Sequence, residues 1–269
     1  MIRAAIVGGA GRMGQAILRA AATRPDVRIS AAIASPKSAN LGADAGELAG
    51  AAPLGVPVTG DLQGALAGCD VVIDFSSAGA TTAHLAACRA AKKPLVLGTT
   101  GHGADLEGAF AAAAGEIPLL IAPNTSLAVT VLMDLARTAA RALGPDFDIE
   151  ILECHHRTKS DAPSGTALAL GDAVAAARGQ KLSAVGVMNR NGGAARKPAE
   201  IGFASVRGGD AIGRHTVAFL GPGEELALTH RATDRAVFAQ GALVAAVWLA
   251  ARPPGRYSMR DIFNFKTVA

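Results

Sequence analysis

The sequence predicts an α/β protein in two domains: a parallel sheet wrapped by helices, then a second, α+β domain with a mixed or antiparallel sheet. Three observations carry this. Short apolar runs alternate with helical segments over the first 126 residues, the pattern of a parallel sheet. The first run feeds directly into a glycine-rich turn. After Asn124 the rhythm changes to longer strand-like segments that alternate apolar with polar.

Taken in order, strands are predicted at Arg3 to Val7, Val27 to Ile33, Val71 to Phe75, Pro94 to Gly98 and Pro118 to Ala122. Helices are predicted at Gln15 to Ala22, Ala80 to Ala91 and Ala104 to Ala114, and Gly42 to Leu54 as a surface loop. A helix over Leu127 to Leu143 opens the second domain, followed by strands at Phe147 to His155, Ile201 to Arg207, His215 to Leu220 and Glu225 to Arg231. Gly192-Gly193 and Gly208-Gly209 are predicted turns. A helix from Asp234 to Ala251 and the tail return to the first domain. The expected division is thus 1–126 completed by 234–269, with 127–233 as the second domain.

The strand Ala4-Ala5-Ile6-Val7 runs into Gly8, Gly9, Ala10, Gly11, Arg12, Met13 and Gly14 and then a helix. Gly9, Gly11 and Gly14 fit G-x-G-x-x-G in the strand-turn-helix setting that this fingerprint requires, so the first domain is read as a Rossmann-like dinucleotide-binding domain. The acid that would hold the ribose hydroxyls of NAD is missing: the second strand ends at Ala34-Ser35-Pro36-Lys37. A 2′-phosphate meets no repulsion there, and Arg12, Ser35 and Lys37 offer partners for it. NADPH is therefore favoured over NADH.

The run Glu153 to Ala167 packs proton donors and fixed positive charge before a helix start. The run reads as an active site, with His155, His156 and Lys159 as its candidate residues. Past Pro163, Ser164-Gly165-Thr166 opens an alanine-rich helix whose first amides suit an anion. Adjacent strand residues project to opposite faces, so His155 and His156 do not form a chelating pair and no metal is expected. Cys154 is expected to be small, buried and inert.

A chain of 269 residues, 50% hydrophobic, is long enough for two cored domains. The net charge of +4 is scattered, and one tryptophan and one tyrosine give few stacking platforms, which argues against nucleic acid. Three cysteines without disulfide-rich spacing and the lack of a signal-like leader point to the cytoplasm, and Gly241 to Ala251 is too short to span a membrane.

Together these motifs resemble the dihydrodipicolinate reductase family. The resemblance covers nearly the whole chain: Gly8 to Gly14, Asp74-Phe75-Ser76, Gly98 to Gly101, Ala122 to Ser126, Glu153 to Ala167, Ile201-Gly202-Phe203, Gly213 to Val217 and Leu228-Thr229-His230. It implies hydride transfer from NADPH or NADH to a cyclic unsaturated dicarboxylate in diaminopimelate and lysine biosynthesis. It further implies His155 as proton donor or acceptor, Lys159 as proton donor, and His156, Gly165 and Thr166 as substrate contacts. Nicotinamide and ribose contacts fall on Gly98, Thr99 and Thr100 and on Ala122, Pro123, Asn124 and Thr125. The family association of the second sheet implies a homotetramer. Ala34-Ser35 stands where some members carry an acid and arginine, and Thr125 where some carry an aromatic. Two other functions stay open on the residues alone: a different NAD(P)-dependent dehydrogenase using a cysteine nucleophile, and a non-enzymatic dinucleotide sensor.

Overall fold

The computed structural model describes residues 1–190, 195–263 and 265, and among these the chain divides into two compact units. One comprises Met1–Leu127 with the segment that begins at Ala236; the other comprises Ala128–Arg235. The predicted Gly192-Gly193 turn and part of the predicted tail lie outside the described residues.

The first unit alternates strand and helix. Its elements are β1 (Ile2–Val7), α1 (Arg12–Ala21), β2 (Val27–Ile33), α2 (Ala45–Leu48), β3 (Val58–Thr59), α3 (Leu62–Ala67), β4 (Val71–Asp74), α4 (Thr81–Ala90), β5 (Leu95–Leu97), α5 (Glu107–Ala114) and β6 (Pro118–Ile121). These strands, with β12 (Gly255–Tyr257), form a parallel sheet in the order β12-β6-β5-β4-β1-β2-β3. The strands are continuous apolar runs because both faces are covered. Ala4 and Ile6 of β1 face a core shared with α1 and with α9 (Ala236–Leu249), while Ala5 and Val7 face the opposite core, under α4 and α5.

The chain order reverses between β1 and β4, and a crevice at such a switch point is where open α/β sheets take ligands. Gly241 of α9 presses on the loop after β6: a Cβ there would lie 1.7 Å from the Thr125 carbonyl oxygen. Thr125 Oγ1 donates to the Phe238 carbonyl at 2.6 Å, tying that loop to the same helix.

The predicted surface loop Gly42 to Leu54 is partly helical. Asp44 caps α2 through the amides of Gly46 and Glu47, and Ala45 and Gly46 are buried. An Asp followed by Ala, Gly and Glu is an adequate helix start, and the glycine and alanine content obscured it. β3, α3 and β12 were also not anticipated, since each is six residues or shorter.

The second unit continues through α6 (Leu127–Leu143), β7 (Asp148–His155), α7 (Gly165–Ala177), α8 (Leu182–Val185), β8 (Gly186–Val187), β9 (Ile201–Arg207), β10 (Gly213–Gly221) and β11 (Glu224–Ala232). Its sheet has the order β11-β10-β7-β9-β8 and is mixed: β7 runs parallel to β9 and antiparallel to β10. One face packs Ile149, Ile151, Ile201, Phe203, Val217 and Phe219 against α6 and α7 through Leu132, Ala136, Leu170 and Val174. The other carries the exposed Leu152, Val206 and Leu220.

Candidate functional site

Along the covered face of the second sheet, each central strand turns from apolar to polar at the same level. In β7 the inward row reads Ile149, Ile151, Glu153, His155; in β10, antiparallel to it, Phe219, Val217, His215, Gly213; in β9, Ile201, Phe203, Ser205, Arg207. Register places Ser205, Glu153, His215 and His230 in one line across four strands. Period-two projection thus converts the end of a core into a cluster of titratable groups.

Glu153 is at the centre of the cluster and is 2% exposed. Arg207 grips it bidentately, Nη1 to Oε2 at 2.8 Å and Nη2 to Oε1 at 2.6 Å. The Ser164 amide donates to Oε1 at 3.2 Å, and His155 Nδ1 bonds to Oε2. Burial pushes the Glu153 carboxyl up, but hydrogen bonds from Arg207, Ser205 and His155 outweigh it and hold it at about 2. An ionised carboxylate only accepts, so His155 carries its proton on Nδ1 and leaves Nε2 as a bare acceptor. Burial lowers the His155 pKa, and the cations of Lys159 and Arg207 add to this against the opposing pull of Glu153. The imidazole is neutral at pH 7. Gly213 lies over Nε2: a Cβ there would be 3.1 Å from it, so glycine keeps that nitrogen uncovered.

Ser164 caps α7, its Oγ accepting the Ala167 amide at 3.2 Å, and His215 Nε2 lies 3.0 Å from the same oxygen. The rings of His155 and His215 meet edge to face with centroids 5.0 Å apart. Gly165 is exposed and Thr166 half-buried at this helix start. Lys159 Nζ pairs with Asp161 at 2.6 and 2.8 Å, and the Asp161 carbonyl accepts from Arg207 at 2.6 Å. His156 is half-buried and bonds Thr158 Oγ1 through Nδ1 at 2.8 Å. His155, Ser164 and Glu153 are thereby joined in one network, with Arg207 linking it to the Lys159 turn. Cys154, on the opposite face of β7, is half-buried in a separate polar cleft with Arg214 and Arg231.

The first unit holds a cleft of about 630 Å³ lined by Gly11, Arg12, Met13, Phe75, Ser76, Ser77, Ala78, Gly98, Thr99, Thr100, Pro123, Asn124, Thr125 and Phe238. That volume suits a cofactor, and no lining residue is acidic. The positive-φ residue of the turn is Gly8 (φ +81°), which stands immediately before the fingerprint glycines. A Cβ on Gly8 would sit 2.5 Å from the Phe75 carbonyl oxygen, and one on Gly14 2.2 Å from the Gly8 carbonyl oxygen. Glycine at these two positions lets the turn pack against Phe75 and close on itself, while Gly11 is the fingerprint glycine that lines the cleft. Gly8, Gly9, Ala10, Gly14 and Ala122 shape the turn and floor without lining the cleft. Of the predicted phosphate partners only Arg12 lines it; Ser35 and Lys37 are exposed beyond β2, Ser35 Oγ accepting the Lys37 amide at 3.3 Å.

Glu153, Arg207, Gly213, His215 and His230 were not assigned roles from the sequence, nor was the buried Asp74. The Asp74 carboxylate lies 2.8 Å from His84 Nδ1 and accepts from the Ser76 amide at 2.9 Å at the edge of the cofactor cleft. Strand register was the signal for the first five, and the sequence alone does not print it. Among the described residues no three His, Cys, Asp or Glu side chains gather to hold a metal, and no helix is long and apolar enough to cross a membrane.

A glycine-lined cleft on a switch-point parallel sheet, joined in one chain to a unit with a buried carboxylate–histidine couple, defines a nucleotide-dependent oxidoreductase of the two-domain α/β type. The family models for dihydrodipicolinate reductase match the chain over residues 2–125 (N-terminus) and 128–263 (C-terminus). The chain belongs to the dihydrodipicolinate reductase family. It is 51% identical over 263 residues to the 4-hydroxy-tetrahydrodipicolinate reductase of Alkalilimnicola ehrlichii, covering 97% of this chain and 98% of that protein. Identity to the enzyme of the same name from Thiobacillus denitrificans is 50% over 266 residues, covering 98% and 99%. A solved dipicolinate-bound dihydrodipicolinate reductase from Paenisporosarcina has the same fold, with a TM-score of 0.78 at 24% identity over 98% of this chain and 100% of that one.

The network dictates an acid-sensitive fold. His215 is 4% exposed, and burial, followed by the nearby His155, brings it down to about 4 from 6.5. As pH falls the unfolded chain binds this proton first, so stability that is complete above pH 6.5 is lost as pH drops toward 4, by about 3 kcal/mol. His155 and His230, also lowered, act in the same direction. His215→Gln should flatten this limb in urea-unfolding series from pH 7 to 4, whereas an unchanged pH dependence would exclude His215 as its source.

Proposed function

We propose that the chain reduces a cyclic unsaturated dicarboxylate with NAD(P)H, converting the 4-hydroxy-tetrahydrodipicolinate of its named relatives to tetrahydrodipicolinate for diaminopimelate and lysine biosynthesis. The observation that carries this reading is the buried Glu153–His155 couple in one network with a Ser-Gly-Thr helix start and, through Arg207, with the Lys159 turn. The cofactor supplies a hydride when bound. The 4-hydroxyl leaves as water, the unsaturated ring takes the hydride together with one proton, and this unit contains groups able to deliver that proton.

The α7 start, through Gly165 and Thr166, seats one carboxylate at the positive end of a 13-residue helix. Lys159 and His156 meet the other. The dianion then sits beside a neutral His155 and favours its protonation. Lys159 is the ammonium source, His155 Nε2 the relay, and Glu153 stabilises the imidazolium that forms through Nδ1. A dinucleotide sensor would leave this couple idle. A cysteine-dependent dehydrogenase would need Cys154 on the other face of the strand.

In this reading 1–126 with 234–269 serves the cofactor and 127–233 the substrate. Gly98, Thr99, Thr100, Pro123, Asn124 and Thr125 contact the nicotinamide half, on the β4 to β6 side of the switch point. NADPH is preferred because no acid lines the cleft and Arg12 does. The open sheet face, with Leu152, Val206 and Leu220 exposed, associates into a homotetramer in the cytoplasm.

Two measurements test this. His155→Gln should lower kcat by about 10²–10⁴-fold with NADPH affinity retained, and Lys159→Ala should lower kcat and raise KM together; wild-type turnover of freshly prepared substrate by both variants would defeat the assignment. Calorimetry at fixed ionic strength should show NADPH bound at least as tightly as NADH, with Arg12→Ala narrowing the difference. A preference for NADH that Arg12→Ala leaves untouched would contradict it.

A further inference from the structure

Two buried histidine nitrogens in the second unit, Nδ1 of His215 and Nδ1 of His230, have no hydrogen-bond partner. Neither residue is required by the proton delivery described above. His215 has one polar contact, Nε2 to Ser164 Oγ at 3.0 Å, and that oxygen is the cap of α7.

The tautomer of His215 follows from the unpartnered atom. With the proton on Nδ1, a buried N–H would have no acceptor; with the proton on Nε2, Nδ1 presents only a bare lone pair, which costs less. The facing groups agree. Glu153 stands opposite on β7, His230 opposite on β11, the His155 ring lies edge to face, and Ser164 approaches from α7. None of these offers an acceptor to Nδ1. Nε2 therefore donates to Ser164 Oγ.

Ser164 Oγ then accepts twice, from His215 Nε2 and from the Ala167 amide. Both lone pairs are occupied, so the hydroxyl proton is left to donate. Were His215 the acceptor instead, it would consume that proton. We infer that His215 is a positioning residue that converts Ser164 from a mere helix cap into a hydroxyl donor aimed at the substrate carboxylate seated at the α7 start. The inference rests on the reading of that helix start as the dicarboxylate's seat. Ser164 is 2% exposed, so the bond it makes is shielded from water.

Dipicolinate, titrated by calorimetry into the full-length protein at pH 7.5, is the probe. His215→Gln carries an amide N–H to about the place of Nε2 and should bind it within a factor of two of wild type. His215→Asn is too short to reach Ser164 and should weaken it about tenfold, the loss of a hydrogen bond to a charged group. Neither substitution should alter NADPH affinity, and His215→Asn should raise KM while leaving kcat within a few-fold. Equal affinity in all three proteins, or equal weakening by both substitutions, would overturn the inference, because a merely structural histidine gives no rescue by Gln. Should His215→Asn fail to fold, weakened binding by a folded His215→Gln would overturn it alone. Failure of the wild-type protein itself to bind dipicolinate would instead remove the seat, and the inference with it.

Discussion

One buried carboxylate organises the polar cluster of the second unit. Glu153 accepts both arms of Arg207, the Ser164 amide and the His155 ring, so one residue fixes the start of α7, the end of β9 and the tautomer of the histidine. A lone carboxylate with 2% exposure would neutralise itself; paired with a guanidinium and donors it stays charged. Removing Arg207 leaves a buried charge uncompensated, which costs about 3–5 kcal/mol in such settings. Arg207 also reaches the Asp161 carbonyl, and Asp161 holds Lys159, so the ammonium is indexed to the same carboxylate.

The sheet supplies the precision. Ile149 and Ile151 are fully buried under α6 and α7, and the same strand carries Glu153 and His155 two and four residues on. Packing of the apolar half therefore locks the rotamers of the polar half. The cofactor cleft uses another device: main chain, freed by Gly8 and Gly14, and a loop pinned to α9 by Thr125 and Gly241.

Much of this was legible in the sequence because it is local. Periodicity gave β2, β9 and α6 to the residue, and the fold class with them. The Glu153 to Ala167 run pointed to His155 and the helix start, since donors, cations and a Ser-Gly-Thr opening stand close together. Arg207 and His215 lie on β9 and β10, and only the register that sets Arg207 beside His155 and His215 beside Glu153 makes them members of the site. Gly8 stands outside the G-x-G-x-x-G pattern that Gly9, Gly11 and Gly14 fit, and the positive φ it carries is not written in the sequence. Ser35 and Lys37 looked like phosphate ligands by sequence position, while the cleft as formed is lined by Arg12. Short elements such as α2 and β3 are fixed by capping and by neighbouring strands, not by any periodicity of their own.

The most direct test of Glu153 as organiser is the protonation pattern of His155, read from nitrogen-15 chemical shifts of the histidine-labelled protein at pH 7.5 without substrate. Held by an ionised Glu153, His155 should show a protonated Nδ1 and a bare Nε2, and it should remain neutral until the pH falls below 6.5. A protonated Nε2 at neutral pH, or an imidazolium already formed there, would contradict the role given to Glu153 and the proton relay built on it.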